Sequence, residues 1–489
     1  MTGDLVIGLD SSTQSTKAIA WTREGDAVAE GRAPIDSHTP RPGWVEQDIE
    51  TWWDSACTAL TSLCAQIDPA RVAGLAISNQ RETVAFVGDD GAAVRPAIVW
   101  LDERAVDELP IMVEEFGGDR LHRITGKPVD ITPVVYRLSW MKRHEADVLA
   151  RTAKILDVHG FLTGRLTGRM AASWTSADPF GVLDIEAKTW SEPILDYLHL
   201  TADRFADLVP PGEQMGTITD AAGSATGLRP GTPVIAAGGD GQCAGLGVNA
   251  TKAGTIYLNL GTAIITGAWS GSAETGPYWR TMTSPTGDGY FLEGCQRAGA
   301  FFINWLIDSF AGGREDPTIF DRLDTQVDAI PIGSEGVTVC PYLTGCMDPH
   351  WNPHARATFD GLGPSHGIGH LYRASLEALT LESARCISAM ARNDIASERL
   401  LAVGGGANSA VWTRMFADAT GLPLTKSESL EASALGAGMS AAVGVGWFNG
   451  FDEAAAAMSR DGDTIEPDPT RADAWAKLSD RQSKAYRPS

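Results

Sequence analysis

The chain opens on a nearly unbroken apolar run, Leu5-Val6-Ile7-Gly8-Leu9, which ends at Asp10 and a Ser/Thr/Gln turn before a second run, Ala18-Ile19-Ala20-Trp21. Short apolar runs bounded by polar turns are a strand signal. They predict strands over 4–9, 17–22 and 26–31, the last two joined at Glu24-Gly25-Asp26. Residues 49–66 carry apolar positions at helical spacing, and Ala73–Ser78 and Thr83–Gly88 predict strands again. A helical pattern returns over Val134–Arg151, with Trp140 and Met141 on its apolar side. Thr232–Ala237 predicts a short strand that Gly238-Gly239 empties into Asp240 and a helix through Val248.

The second half repeats this grammar. It predicts a hairpin over 255–269, helices at about 297–310 and 367–393, and a strand at Leu400–Val403 opening onto Gly404-Gly405-Gly406-Ala407-Asn408, with a helix behind it through about Thr420. The hairpin Gly254–Ala263 with Ile264-Ile265-Thr266 echoes the one around Asp10. Each turn is rich in Gly, Ser and Thr, so backbone N–H groups and hydroxyls can converge on an anion with no bulky side chain in the way. Taken singly, either turn reads equally as an ordinary hairpin; the recurrence favours a pair of phosphate grips. Asp10 adds a carboxylate suited to a hydrated Mg²⁺ that bridges phosphate oxygens. The Gly/Ala/Asn-rich stretch 245–254 is the natural boundary, giving domains 1–247 and 248–489.

Composition narrows the class. A chain of 489 residues holds more than one core. Its net charge of −23, with no basic block, argues against nucleic acid or an anionic membrane surface as partner. No apolar run approaches a bilayer span. Seven cysteines without CxxC spacing read as reduced thiols, and the first strand follows Met1-Thr2-Gly3 with no room for a signal peptide, so a cytoplasmic protein is expected.

The P-loop, GxGxxG and G-x-S-x-G motifs are all missing, which removes the commonest nucleotide and hydrolase readings. Asp240, beyond a strand and at a helix start, is the best candidate for a carboxylate that takes a hydroxyl proton, although capping is the commoner role of Asp there. Ser78-Asn79-Gln80-Arg81-Glu82-Thr83 places a cation beside an anion, either to clasp the hydroxyls of a polyol or as a surface salt bridge. Trp100 offers an aromatic wall for a sugar or fills core. His366 and His370 have metal-ligand spacing without acidic or sulfur partners, so a structural role is expected.

Together these stretches resemble the FGGY carbohydrate kinases. Gly43-Trp44-Val45-Glu46-Gln47-Asp48 followed by Trp52-Trp53 is similar to an early family element. Ala357–Leu362 with His370-Leu371 and Ala374-Ser375-Leu376-Glu377 matches the C-terminal signature, and Pro341–Gly345 with Pro349, Pro353 and Ala355-Arg356 looks like the loop before it. The resemblance implies an α/β fold of two actin-like, ribonuclease-H-like ATPase domains flanking a deep cleft, with ATP and Mg²⁺ as cofactors. It also implies roles for particular residues: Asp240 as general base and Asp10 as the metal-linked carboxylate, through water. Thr13, Thr16 and Lys17 fall on the first phosphate hairpin, Gly261 and Thr262 on the second, Gly299 on a further phosphate contact, and Gly405, Gly406 and Asn408 on the adenosine side.

Arg81, Glu82, Trp100, Asp240 and Gln242 are the expected substrate contacts. Four departures bear on specificity. Gly241 replaces a glutamine of glycerol kinases, which is expected to vacate volume for a longer chain reaching Gln242. Ile264-Ile265 replaces an aromatic, Arg81-Glu82 stands where xylulokinases carry Met-His, and Arg137 stands where Lys is usual. The expected substrate is a ketopentose such as xylulose, with a glycerol- or erythritol-type polyol as the alternative and an actin-like ATPase without sugar as the non-kinase one. No nucleic acid or membrane partner is expected, and a homodimer is the assembly considered.

Overall fold

The computed structural model describes residues 3–429 and 431–487. Two large sheets repeat one plan. In the first, Leu5–Ser11 lies between its hairpin partner Ser15–Trp21 and the parallel strand Val72–Asn79; Ala27–Pro34 extends one side, and Pro233–Gly239 and then Gln214–Thr217 extend the other. In the second, Gly254–Leu260 lies between its hairpin partner Ile264–Ser270 and the parallel strand Ser397–Val403. Tyr290–Gln296 and Arg280–Thr283 continue beyond the hairpin, and Leu424–Ser427 and Asp461–Ile465 beyond the parallel strand. The repeat read from the two hairpins is thus a repeat of whole sheets. The central strands are continuous apolar runs because both of their faces are covered, as for Leu5, Val6 and Ile7, all fully buried.

The predicted elements are found with shifted ends. Helix 49–66 is Ile49–Cys64, its first turn held by the Asp48 side chain accepting from Glu50 N. The predicted helix over Val134–Arg151 is two helices, Val134–His144 and Ala146–Arg151, because Glu145 leaves the helical region at φ −134°, ψ 45°. A four-stranded sheet of Glu46–Gln47, Ala93–Ile98, Val84–Val87 and Lys154–Leu156 is inserted in the first half.

The halves meet through small residues. Helix Ala432–Gly444 packs back onto the first sheet, sharing a core with Val6, Ile19, Ala76 and Ile235, and crosses helix Asp240–Gly247 with the backbones nearly touching. A Cβ on Gly436 would stand 1.9 Å from Cys243 O, and one on Gly8 1.8 Å from Ala434 O. Glycine is required at both positions for closeness of approach.

Candidate active site

Strands Leu5–Ser11, Val72–Asn79 and Pro233–Gly239 run parallel, so their C-terminal ends bring Asp10, the Asn79–Glu82 stretch and Asp240 to one edge of the sheet. Asp10 lies opposite Ser78, whose hydroxyl donates to Asp10 Oδ1 at 2.8 Å. Asp240 begins its helix, accepts from Gly241 N at 2.7 Å and faces Arg81 Nε at 3.1 Å, with 40% of its side chain open to the cleft. Burial, then the charge of Asp240, raises the Asp10 carboxyl to about 7. Asp240 is itself raised by desolvation, with Arg81 opposing. Two mutually repelling carboxylates beside a hydroxyl are donor chemistry that a hydrated Mg²⁺ fits.

Behind Asp240 lies a buried chain of alternating charge that runs Asp240, Arg81, Glu293, Arg280, Glu82. Arg81 grips Glu293 with both terminal nitrogens, at 2.9 and 3.1 Å, and Arg280 reaches Glu293 Oε1 at 2.7 Å and Glu82 Oε1 at 2.6 Å. Glu293 and Arg280 come from the second half, where the hairpin register sets them directly opposite each other. Burial by itself would raise the Glu293 carboxyl; the two guanidinium groups overrule it and hold it at about 2. Glu82 is raised by burial. Sequence reading missed Arg280 and Glu293. The available signal was a charge within the buried strand Phe291-Leu292-Glu293-Gly294-Cys295.

Glu82 has a left-handed backbone, φ 54°. Arg137, fully buried, holds it there: its guanidinium donates to Glu82 O at 3.2 Å, Thr132 O at 2.7 Å and Trp100 O at 2.8 Å. A lysine would offer these carbonyls one ammonium in place of a planar fork whose two terminal nitrogens point at them separately. Arg137→Lys is therefore expected to fold but to lower kcat/KM for the sugar at least ~10-fold, the value of one charge-assisted hydrogen bond, with KM for ATP unchanged. Steady-state kinetics with each substrate varied checks this, and an unaltered sugar KM would show that Arg137 does not set the pocket. Trp100 Nε1 donates to Thr13 Oγ1 at 2.9 Å, tying the indole to the turn of the first hairpin. Gln47, from the early tryptophan-rich element, binds Thr13 O at 2.7 Å and takes bonds from Trp52 and Gln80.

A cavity of about 490 Å³ collects Thr13, Arg81, Glu82, Trp100 and Asp240 with Arg280, and brings in Asn259 and Ala263 beside the second turn. The two hairpins therefore meet on one cavity. Gln242 lies off it: fully buried, it donates to Thr175 O at 3.1 Å and accepts from Arg81 at 3.3 Å, so Arg81 stands between it and the cavity. Gly241 lines the cavity, but the direction a side chain would take from it is occupied, since a Cβ would stand 2.9 Å from Arg81 Nη2 and 3.0 Å from Glu293 Oε2. The Arg81–Glu293 pair fills it. At the second departure, Ile265 also lines the cavity.

Beside the second turn, Gly299 N and Ala300 N donate to Thr262 O and Gly261 O, both at 2.9 Å, which seats the start of helix Ala300–Phe310 against it. The Gly405–Asn408 turn packs on the same strand end, a Cβ on Gly404 being 2.6 Å from Asn259 Oδ1. Gly405 faces open space, so packing does not demand glycine there. In the first hairpin, Thr16 is buried with its hydroxyl 3.4 Å from Ser11 Oγ. Lys17 pairs with Glu431 at 2.7 Å, an anion it shares with Arg32. The structure thus places Thr13 on the cavity and Lys17 on a bridge to the second half. His366 and His370 accept from backbone N–H groups through Nδ1, and no metal-binding cluster occurs among the described residues.

Residues 5–247 match the model of the N-terminal domain of the FGGY family of carbohydrate kinases, and residues 256–445 that of its C-terminal domain. The chain is 27% identical to a xylulose kinase of Bacillus subtilis (strain 168) over 98% of its own length and 96% of the relative's. It is 29% identical to a glycerol kinase of Aromatoleum aromaticum (strain DSM 19018 / LMG 30748 / EbN1) over 92% of each. The crystal structure of xylulose kinase from Rhodospirillum rubrum superposes with a TM-score of 0.92 at 30% identity, covering 99% of this chain and 98% of that one. With both domain models matched and the cleft carboxylates on their expected strand ends, the chain belongs to the FGGY family of carbohydrate kinases and is an ATP-dependent sugar kinase.

Proposed function

We propose that the enzyme transfers the γ-phosphoryl group of ATP to a primary hydroxyl of an acyclic ketopentose such as xylulose. The observation that carries this reading is the single cavity on which Asp240, Arg81 and Trp100 meet both hairpin ends. Asp240 takes the proton of the attacking hydroxyl, and Arg81 fixes the carboxylate that receives it. The phosphates lie between the Thr13 turn and the Gly261–Thr262 turn with Gly299, and adenosine lies against Gly405, Gly406 and Asn408. Mg²⁺, held through water by Asp10, supplies charge neutralisation at the phosphates when bound. Positioning and electrostatics then provide most of the acceleration. We divide the chain at 247/248 into two domains that close over this cleft and exclude water.

Two observations support a five-carbon substrate: the likeness to xylulose kinases, and a cavity of about 490 Å³, with Ile265 on its wall, within the usual range for small-molecule sites. The buried Arg81 and Glu82 on the cavity wall favour a polyol as the second reading, as does the likeness to a glycerol kinase. Membership of a carbohydrate kinase family removes the sugar-free ATPase. All seven cysteines are free, and among the described residues no helix is long and apolar enough to cross a membrane, which supports a cytoplasmic setting. An ADP-release assay across ketoses and polyols is expected to give a higher kcat/KM for a ketopentose than for glycerol or erythritol. Preference for glycerol over every longer substrate would defeat the ketopentose reading.

A further inference from the structure

We propose that Tyr486, in the segment after the last helix, is a positioning residue for the sugar: its ring clamps loop 341–356, through which Thr344 and Met347 form part of the cavity wall. The inference rests on the sugar-pocket reading above and adds a residue outside the cavity that sets its affinity. Loop 341–356 joins strand Thr338–Cys340 to its antiparallel partner Thr358–Asp360 and has no helix or strand of its own. A segment of that length holds one conformation only where side chains pin it. Tyr342, Cys346 and Ala355 gather with Cys340 in a small cluster apart from the main core of the second half, and Ala485 and Tyr486 pack against it. The chain that delivers Tyr486 is itself anchored. Helix Ala472–Gln482 buries Trp475 and Leu478 in the main core, and Gln482 Nε2 donates to Val339 O at 3.1 Å, at the entry to the loop.

Tyr486 meets the loop at three points. Its ring stacks on that of His350, with centroids 3.8 Å apart and planes at 15°, and stands edge-on to Tyr342 at 5.5 Å. Its hydroxyl accepts from Asn352 Nδ2 at 2.9 Å. Thr344 and Met347 lie along the chain between Tyr342 and His350, and both line the cavity. On the cavity side the loop is tied to strand Tyr290–Gln296 and the residue after it: Asp348 Oδ1 accepts from Cys295 N at 2.7 Å, and Arg297 Nη1 donates to Thr344 O at 3.3 Å. That strand also carries Glu293, which grips Arg81. The loop is thus held between the strand that positions Arg81 and the ring of Tyr486. Without the ring it keeps the first set of ties and loses the second, so Thr344 and Met347 can shift within the wall. A displacement of about 1 Å in a positioned group can cost on the order of 10²-fold. The clamp touches neither Asp240 nor the two hairpin turns, so the effect falls on sugar binding rather than on transfer.

The test compares wild type with Tyr486→Ala, Tyr486→Phe, His350→Ala and the double alanine variant. Each is assayed with sugar and ATP varied in turn, and thermal unfolding is measured in parallel. Tyr486→Ala is expected to raise KM for the sugar about ten-fold, with kcat and KM for ATP unaltered and the unfolding midpoint unchanged. Tyr486→Phe keeps the stack and should restore a sugar KM close to that of wild type. If the two rings act as one clamp, the double variant is no worse than the poorer single one. An unaltered sugar KM in both single alanine variants would overturn the proposal, as would an equal rise in KM for ATP or additive losses in the double variant. If Tyr486→Ala unfolds early, His350→Ala reads the same stack from the loop side. The best substrate is found on wild type first, so a substrate other than a ketopentose defeats the previous reading alone and leaves this comparison intact.

Discussion

Asp240→Asn is expected to abolish phosphoryl transfer, by about 10²–10⁴-fold, the usual contribution of a general base, while sugar and nucleotide still bind. The substitution keeps an oxygen where Oδ1 accepts from Gly241 N and faces Arg81 Nε, so the local geometry has no reason to change. What it removes is the site that receives the hydroxyl proton. Arg81 loses one anionic partner but retains its two-pronged grip on Glu293. Single-turnover transfer measured beside calorimetric titration of sugar separates the two effects. Near-normal turnover in the variant would remove Asp240 from the role of base, and a parallel loss of sugar affinity would assign it to binding.

Glu293→Ala is expected to be the most destabilising single change in the cleft. Glu293 is fully buried and is the only carboxylate of the charge chain that both Arg81 and Arg280 grip. Its loss leaves two buried guanidinium groups short of a counter-charge, and breaking a buried pair from one side costs roughly 3–5 kcal/mol. In thermal unfolding that corresponds to a fall on the order of 10 °C. Activity should fall further than stability at the assay temperature explains, because Arg81 then loses the anchor that aims it at Asp240. Glu293→Gln keeps the shape and a single acceptor oxygen and should lie between wild type and alanine. A Glu293→Ala protein that melts within a degree or two of wild type would show that the chain of charges contributes nothing to holding the halves together.

The sequence by itself determined what is local or periodic. Two apolar strands around a Gly/Ser/Thr turn are legible in isolation because turn chemistry and strand pattern span about a dozen residues, and the two copies carry Asp10 and the Gly261–Thr262 turn with them. Asp240 was legible because a strand ending in two glycines exposes the next side chain, and Gly299 and Gly405 followed from motif matches, of which close packing explains Gly299 alone. What only the tertiary structure decided are pairings across long separations: Arg81 with Glu293 at 212 residues, Glu82 with Arg280 at 198, and Lys17 with Glu431 at 414. It also decided that the direction a side chain would take from Gly241 is occupied and that Gln242 turns away from the cavity. These depend on the register of one hairpin and on the crossing of two glycine-rich helices. A one-residue slip in that register would turn Glu293 to the other face of its sheet, and the charge pattern of either half, read alone, carries no term that names its partner in the other.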